Sequence, residues 1–224
     1  EDPDLSDYEI KAWYNAVDQS VYYYAPGSTT YLNPNSKGMF QWFTKMETID
    51  LTGLDTSEVT SMNAMFYTMN SLKSIDVSGF NTSKVTDMYA MFDQTGVIEQ
   101  LNVSNFDTSK VEDMAYMFSQ DHKIKTLNLG NLNTSHVTTM EHMFQNMWAL
   151  ESLDVSSFDT SNVTDMNNMF GGLAKITTLN LNNFNTSKVT SMRFMFNLME
   201  SLVNFNISSF DTRNVENMSS MFSS

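Results

Sequence analysis

The stretch 150–175, LESLDVSSFDTSNVTDMNNMFGGLAK, is one copy of a unit that recurs along most of the chain. Its Met-Phe pair is Met169-Phe170. The same pair stands at Met39-Phe40, Met65-Phe66, Met91-Phe92, Met117-Phe118, Met143-Phe144, Met195-Phe196 and Met221-Phe222, each 26 residues from the last with no insertion. A fixed period in the range of roughly 20–50 residues marks a repeat architecture, in which each unit packs mainly on its neighbours. The 224 residues are therefore expected to form residues 1–38 as an N-terminal cap and residues 39–224 as one array of about seven repeats, with no internal domain boundary.

Within a copy, the apolar positions have two periods. In the copy starting at Leu72, Ile75 and Val77 alternate with Ser74, Asp76 and Ser78, and the pattern returns at Leu101/Val103, Leu127/Leu129, Leu153/Val155, Leu179/Leu181 and Phe205/Ile207. Period two predicts a strand. Gly79, Asn81 and Ser83 predict a turn. Val85, Met88, Met91 and Phe92 then fall at i, i+3, i+6 and i+7, one face of a short helical turn. The expected fold is an α/β solenoid, with a parallel sheet on one side and a row of helical turns on the other.

Two invariant columns complete the unit. Thr56, Thr82, Thr108, Thr134, Thr160, Thr186 and Thr212 each follow an Asp or Asn, at Asp55, Asn81, Asp107, Asn133, Asp159, Asn185 and Asp211. Such side chains hydrogen-bond nearby backbone and fix turns, so the threonines are read as a structural ladder; an ice-binding array would need them flat and exposed, beside columns that are not apolar. Met62, Met88, Met114, Met140, Met166, Met192 and Met218 form another column, read as flexible thioether filling rather than as a soft-metal strip.

The segment before the first Met-Phe pair does not match the unit. Ser6-Asp7-Tyr8-Glu9 fits a capping box, and Ile10, Trp13, Tyr14 and Val17 have helical spacing, so a helix is predicted over about 7–17. Residues 21–24 and 30–32 are β-rich and split by Ala25-Pro26-Gly27-Ser28, which predicts a hairpin. Trp13 and Trp42 are candidates to fill the junction with the first repeat. The Tyr22–Tyr24 aromatics are read as packing groups before a carbohydrate-stacking site.

Composition narrows the partners. The formal net charge is −14 with a sequence pI near 4.3, a surface that repels phosphate backbones, so no nucleic-acid partner is expected. There are no cysteines, hence no disulfide framework and no thiolate chemistry. No apolar run approaches the roughly 18 residues a membrane span needs, so no membrane insertion is expected. The chain starts at Glu1 and stops just after a Met-Phe pair, and it reads as a piece of a longer protein.

The pattern L-x-x-L-D-V-S-x-F-D-T-S-x-V-T-D-M-x-x-M-F over 150–170 resembles the BspA-like leucine-rich repeats of bacterial surface proteins, and the resemblance covers about 39–224. It implies a leucine-rich-repeat superhelix displayed outside the cell, with adhesive roles toward host or neighbouring surfaces, and it carries no catalytic residues. The Cys or Gly usual after Met-Phe in such repeats is Tyr67, Asp93, Ser119 or Gln145 here. No wall-anchoring motif or lipidated cysteine occurs, so an anchor is expected outside this chain.

No enzymatic constellation stands out. His136 and His142 flank 137–141 without forming H-E-x-x-H, His122 is isolated, and His136 shares a variable column with Lys84, Lys110, Asn162 and Lys188. There is no phosphate loop and no G-x-S-x-G. The carboxylates recur with the unit, so none is singled out as an acid or base. No cofactor and no metal site are expected, and the chain is read as a non-enzyme.

The candidate ligand-binding surface is the outward sheet face, the ladder Asp50, Asp76, Asn102, Asn128, Asp154, Asn180 and Asn206, beside Thr52, Ser78, Ser104, Gly130, Ser156, Asn182 and Ser208. Parallel strands lie about 4.8 Å apart, so these groups would form a dense array able to hydrogen-bond a glycan or protein, or to hold Ca²⁺; the plainer alternative is a solvated face that deters aggregation. Variable aromatics, Tyr67, Tyr89, Tyr116, Trp148 and Phe194, offer anchors on a separate face. The expected function is an extracellular adhesin repeat domain recognising a surface protein or glycan on a host or neighbouring cell; the alternative is a passive spacer. Self-association through the exposed last repeat is also expected.

Overall fold

The computed structural model of the chain describes residues 11–15, 17, 20–24 and 29–223. Eight short strands occur among them: β1 (Lys11–Asn15), β2 (Ser20–Tyr24), β3 (Thr30–Tyr31), β4 (Leu54–Asp55), β5 (Gln100–Asn102), β6 (Thr126–Asn128), β7 (Thr178–Leu179) and β8 (Asn204–Phe205). β1 and β2 pair antiparallel, and β3–β4, β5–β6 and β7–β8 pair parallel. The described residues contain no helix. The expected α/β leucine-rich-repeat solenoid, with one continuous sheet and a row of helical turns, is therefore not what the chain forms.

The reason lies in where the backbone N–H groups go. In the copy around Met91, the N–H groups of Met88, Ala90, Phe92 and Gln94 donate to the carbonyls of Asp113, Ala115, Met117 and Ser119 in the next copy. Those of Met91, Asp93 and Thr95 donate three residues back, to Met88, Ala90 and Phe92. Alternate donors thus leave the copy, and no i→i−4 ladder is left to make a helix. The alternation requires left-handed residues. Ala64, Ala90, Tyr116, His142, Asn168, Phe194 and Ser220, and four residues after most of them Thr68, Gln94, Gln120, Asn146 and Leu198, have φ of 51–61°. Each non-glycine residue there costs roughly 1–2 kcal/mol, offset by the bonds made to the next copy.

The strands are short for a related reason. A bend recurs once per copy at this point, whether or not a strand precedes it, in which the Asp or Asn side chain accepts the N–H two residues on: Ser78 to Asp76 Oδ1 at 2.9 Å, Ser104 to Asn102 at 3.0 Å, Ser156 to Asp154 at 2.9 Å. A second such bend lies at Asp107–Ser109 and its equivalents. A third lies at Asp87, Asp113, Asp165 and Asn217. The third column also bridges successive copies in parallel, from Asn35↔Ser61 through Ser191↔Asn217. Copies are thus stacked in strict register.

The core is a set of columns. Met62, Met88, Met114, Met140, Met166 and Met192 are fully buried, as is the methionine of each Met-Phe pair from Met65 to Met195. Phe40, Phe66, Phe92, Phe118, Phe144, Phe170, Phe196 and Phe222 stack face to face, centroids 5.5–6.0 Å apart and planes within 13°. In the last copy, Met218 and Phe222 are half exposed.

The N-terminal expectations also change. Residues 11–15, placed in the predicted helix, form β1 and pair with β2, Trp13 opposite Tyr22 and Tyr14 opposite Val21; aromatic and β-branched residues favour strands over helices. The predicted hairpin of 21–24 with 30–32 does not form, because β3 instead joins β4 in the first copy. The capping box at Ser6–Glu9, the Pro-Gly turn and the side chains of Trp13 and Tyr22–Tyr24 lie outside the described residues. Trp42 does not fill the junction: it is 59% exposed and rests edge-on against Tyr67, centroids 5.1 Å apart.

Candidate functional site

The predicted ladder Asp50, Asp76, Asn102, Asn128, Asp154, Asn180 and Asn206 is exposed along its whole length. Every Oδ1 in it accepts the N–H two residues on, at 2.9–3.2 Å. These bonds hold the carboxyls of Asp50, Asp76 and Asp154 below the usual range, through Thr52, Ser78 and Ser156. One acceptor of each side chain is thus already spent on its own bend. The threonine column from Thr56 to Thr186 is buried, its hydroxyls donating to the next copy's carbonyls at 2.8–3.0 Å, while Thr212 is exposed.

A more structured surface lies beside the Met-Phe pairs. Variable columns collect there, among them the left-handed residues Tyr116, Gln94 and Gln120. A groove of about 520 Å³ crosses several copies, from Lys37 and Gln41 to Gln145, walled by Tyr67, Tyr89 and Tyr116 and floored by Asp93 and Ser119. Tyr89 and Tyr116 lie 5.4 Å apart with planes tilted by 50°, and Tyr116 stacks on His142 at 4.4 Å. Nearby, His122 stacks on Trp148 at 4.0 Å and its Nδ1 lies 2.8 Å from the Asn146 carbonyl. The predicted aromatics therefore divide: Tyr67, Tyr89 and Tyr116 line the groove, Trp148 stacks on His122, which lines a smaller cleft, and Phe194 sits under Arg193. His136 is exposed and apart from both.

Asp93 and Asp121 are the two buried carboxyls here. Asp121 accepts the N–H and hydroxyl of Thr95, both at 2.8 Å; the two share a column otherwise held by Phe43, Met69, Met147, Leu173 and Met199. Asp93 Oδ1, Asp121 Oδ2 and Thr68 Oγ1 have no hydrogen-bond partner. Burial pushes the Asp93 carboxyl up to about 7, against a hydrogen bond from Ser119, and drives Asp121 well above the carboxylate range. Burial also raises Glu141 and Asp113, with repulsion from other carboxylates adding to it, and Tyr116 to about 12. Neither aspartate was a candidate in the sequence, although comparing Asp121 with its column would have marked it.

These shifts set the sign of a pH response. A carboxyl whose folded pKa lies above its unfolded value of about 4 stabilises fully below that pH, and the contribution is lost as pH rises through the folded value. For Asp93 the window runs up to about 7. Urea midpoints should therefore fall between pH 5 and pH 8. Asp93→Asn should flatten part of that slope and gain about 1–2 kcal/mol at pH 8. Identical slopes in the two proteins would refute the assignment.

Fold and groove together define a stacked-repeat protein with a variable aromatic and acidic surface on an invariant core. The family model described as "Mycoplasma protein of unknown function, DUF285" matches residues 35–148 and again 121–224, and the chain belongs to that family. No curated protein and no solved structure matches the chain.

Proposed function

We propose that the chain is an extracellular, cell-surface binding module without catalytic activity, recognising a protein or glycan of a host or neighbouring cell through the tyrosine-walled groove. One observation carries this reading. In a stack whose Met, Phe and Thr columns do not vary, the columns that do vary converge on one groove with three tyrosines and a buried carboxyl. Aromatic walls supply large rigid contact area at little entropic cost, the usual make-up of a binding hot spot. The resemblance to BspA-like surface proteins supports the placement outside the cell. No helix among the described residues is long and apolar enough to cross a membrane.

A spacer role is the second reading, favoured by the polar ladder, whose acceptors are engaged in their own bends. Surface-plasmon binding to a panel of mucins, matrix proteins and polysaccharides, with calcium and with chelator, separates the two. A specific signal is expected, weakened at least tenfold by Tyr89→Leu with Tyr116→Leu, and less than twofold by changing Asp76, Asn102, Asn128 and Asp154 to Ala. Silence across the panel from folded protein would favour the spacer.

A further inference from the structure

We propose that the cleft beside Gly96 seats the aromatic side chain of a tryptophan or tyrosine carried by a partner polypeptide, stacked on the His122 ring. The inference rests on the binding reading above and gives its protein ligand a chemistry.

The cleft is a break in a column of side chains. Positions 70, 96, 122 and 148 are equivalent in successive copies and hold Asn, Gly, His and Trp. His122 and Trp148 stack, centroids 4.0 Å apart and planes 14° apart. One copy back, Gly96 puts no side chain at that level. A side chain is barred there, because Gly96 has φ of 83° and a Cβ on it would lie 2.3 Å from the Asn70 carbonyl. The result is a cleft of about 340 Å³ lined by Asn70, Gln94, Gly96, Gln120 and His122. None of the five belongs to the copy that carries Trp148, so the cleft adjoins the face of His122 that Trp148 leaves open.

The spacing suits a ring. Copies stack about 4.8 Å apart, and the phenylalanine column already holds one ring per copy at 5.5–6.0 Å. A ring at the level of Gly96 would meet His122 within the range of about 4.5–7 Å that aromatic pairs prefer. The volume lies at the small end of the roughly 300–1,000 Å³ of ligand sites, which suits one side chain.

His122 is held in place to receive it. Its Nδ1 lies 2.8 Å from the Asn146 carbonyl; a carbonyl only accepts, so Nδ1 carries a proton and donates it. Trp148 Nε1 donates to Asn146 Oδ1 at 3.3 Å. Asn146 thus fixes both rings, and a rigid surface loses little entropy on binding.

The rim is polar and uncommitted. The side-chain amides of Asn70, Gln94 and Gln120 make no hydrogen bond among the described residues, whereas Asn102, Asn128 and Asn180 spend theirs on their own bends. Each amide offers donors and an acceptor, which match the O–H or N–H at the edge of a tyrosine or tryptophan ring and the peptide groups beside it. Gln94 and Gln120 also line the tyrosine-walled groove. A segment extended along that groove can place one side chain in the cleft, and this continuity selects a polypeptide over a free small molecule.

Nuclear magnetic resonance of the histidine rings tests this on the full chain, which has three histidines. The probes are N-acetyl-tryptophanamide, N-acetyl-tyrosinamide, N-acetyl-leucinamide, adenosine and methyl glucoside. The two aromatic amides should move the His122 ring protons upfield in a saturable way and leave His136 unmoved. They should bind at least fivefold more tightly than the other three probes. Gln94→Ala with Gln120→Ala should weaken them at least fivefold. Neither glutamine side chain bonds to the protein, so the pair should leave the urea midpoint unchanged and the loss would not reflect unfolding. His136→Ala should cost less than twofold. Equal binding of the leucinamide would overturn the ring seat, and equal or tighter binding of adenosine or the glucoside would overturn a partner's side chain. Shifts confined to the Trp148 indole, insensitive to the glutamine pair, would put the ring on the far face of Trp148 and overturn the cleft. No saturable shift at His122, with Tyr89→Leu and Tyr116→Leu still weakening the surface-panel ligand, would sink this inference alone; no shift together with a silent panel would sink both readings.

Discussion

Phe144→Ala should destabilise the chain by about 3–5 kcal/mol, the range for a large aromatic removed from a packed core. Phe144 is fully buried and stacks on Phe118 at 5.8 Å and Phe170 at 6.0 Å, with Phe158 at 6.3 Å on a third side. The backbone around it is clamped to both neighbours: Phe144 N–H donates to the Met169 carbonyl, and Phe118 N–H donates to the Met143 carbonyl. The cavity therefore cannot close by a local shift. A loss of this size is a large part of the roughly 5–15 kcal/mol that holds an ordinary domain folded. Because copies touch mainly their neighbours, the damage should also be local in origin. Hydrogen exchange should rise first at the amides of 114–120 and 166–172, before the ends of the stack. Phe222→Ala, at a ring that is 54% exposed, should cost less than about 1 kcal/mol. Chemical denaturation of the two variants measures the contrast, and a Phe144→Ala loss under about 1.5 kcal/mol would mean the stacked rings are not the spine of the fold.

The 26-residue step was legible because the invariant columns are chemically simple. Thr in one place, Met in two and Phe in another leave little freedom in how copies superpose, and the structure keeps that step in its ladder of bridges. What happens inside a copy was less legible. Val85, Met88, Met91 and Phe92 do share one face, as the helical pattern expects, but a chain of three-residue turns also brings i, i+3 and i+6 to one side. The feature that separates these cases is a left-handed residue, usually announced by Gly or Asn. Here it falls on Ala90, Tyr116 and Phe194, residue types that carry no such signal. The strand expectation failed on length. Asp76 and Asn102 were read as outward-facing strand residues, yet both side chains close bends, which end the strand at Asn102 and stand where no strand forms around Asp76. Within the groove, the tyrosines were visible as variable aromatics. Asp93 was visible only as a departure from the small residue usual after Met-Phe, because burial is a property of the assembled columns rather than of the residue.

Thr134→Val should cost about 2–3 kcal/mol although the shape hardly changes, the price of two backbone groups left without partners. Thr134 is buried, and its hydroxyl donates to the Asp159 carbonyl at 2.8 Å while accepting the Asp159 N–H at 2.8 Å. One atom thereby serves both polar groups of a residue in the next copy. Valine keeps the branched side chain that fits the column and loses that service. Thr134→Ser keeps the hydroxyl and loses only the methyl that fixes the rotamer, so it should cost about 1 kcal/mol or less. The order wild type, Ser, Val is the informative result. If the column were only packing, Val would match the wild type and Ser would be the worse substitution. The same bonds recur from Thr160 to Asn185 and from Thr186 to Asp211. Thr160→Val should therefore repeat the loss. In the double variant Thr134→Val with Thr160→Val, the two effects should add to within about 0.5 kcal/mol only if the copies act independently. A larger combined loss would show that each hydroxyl also holds the register that its neighbour needs, which ties this invariant column to the strict period of the chain.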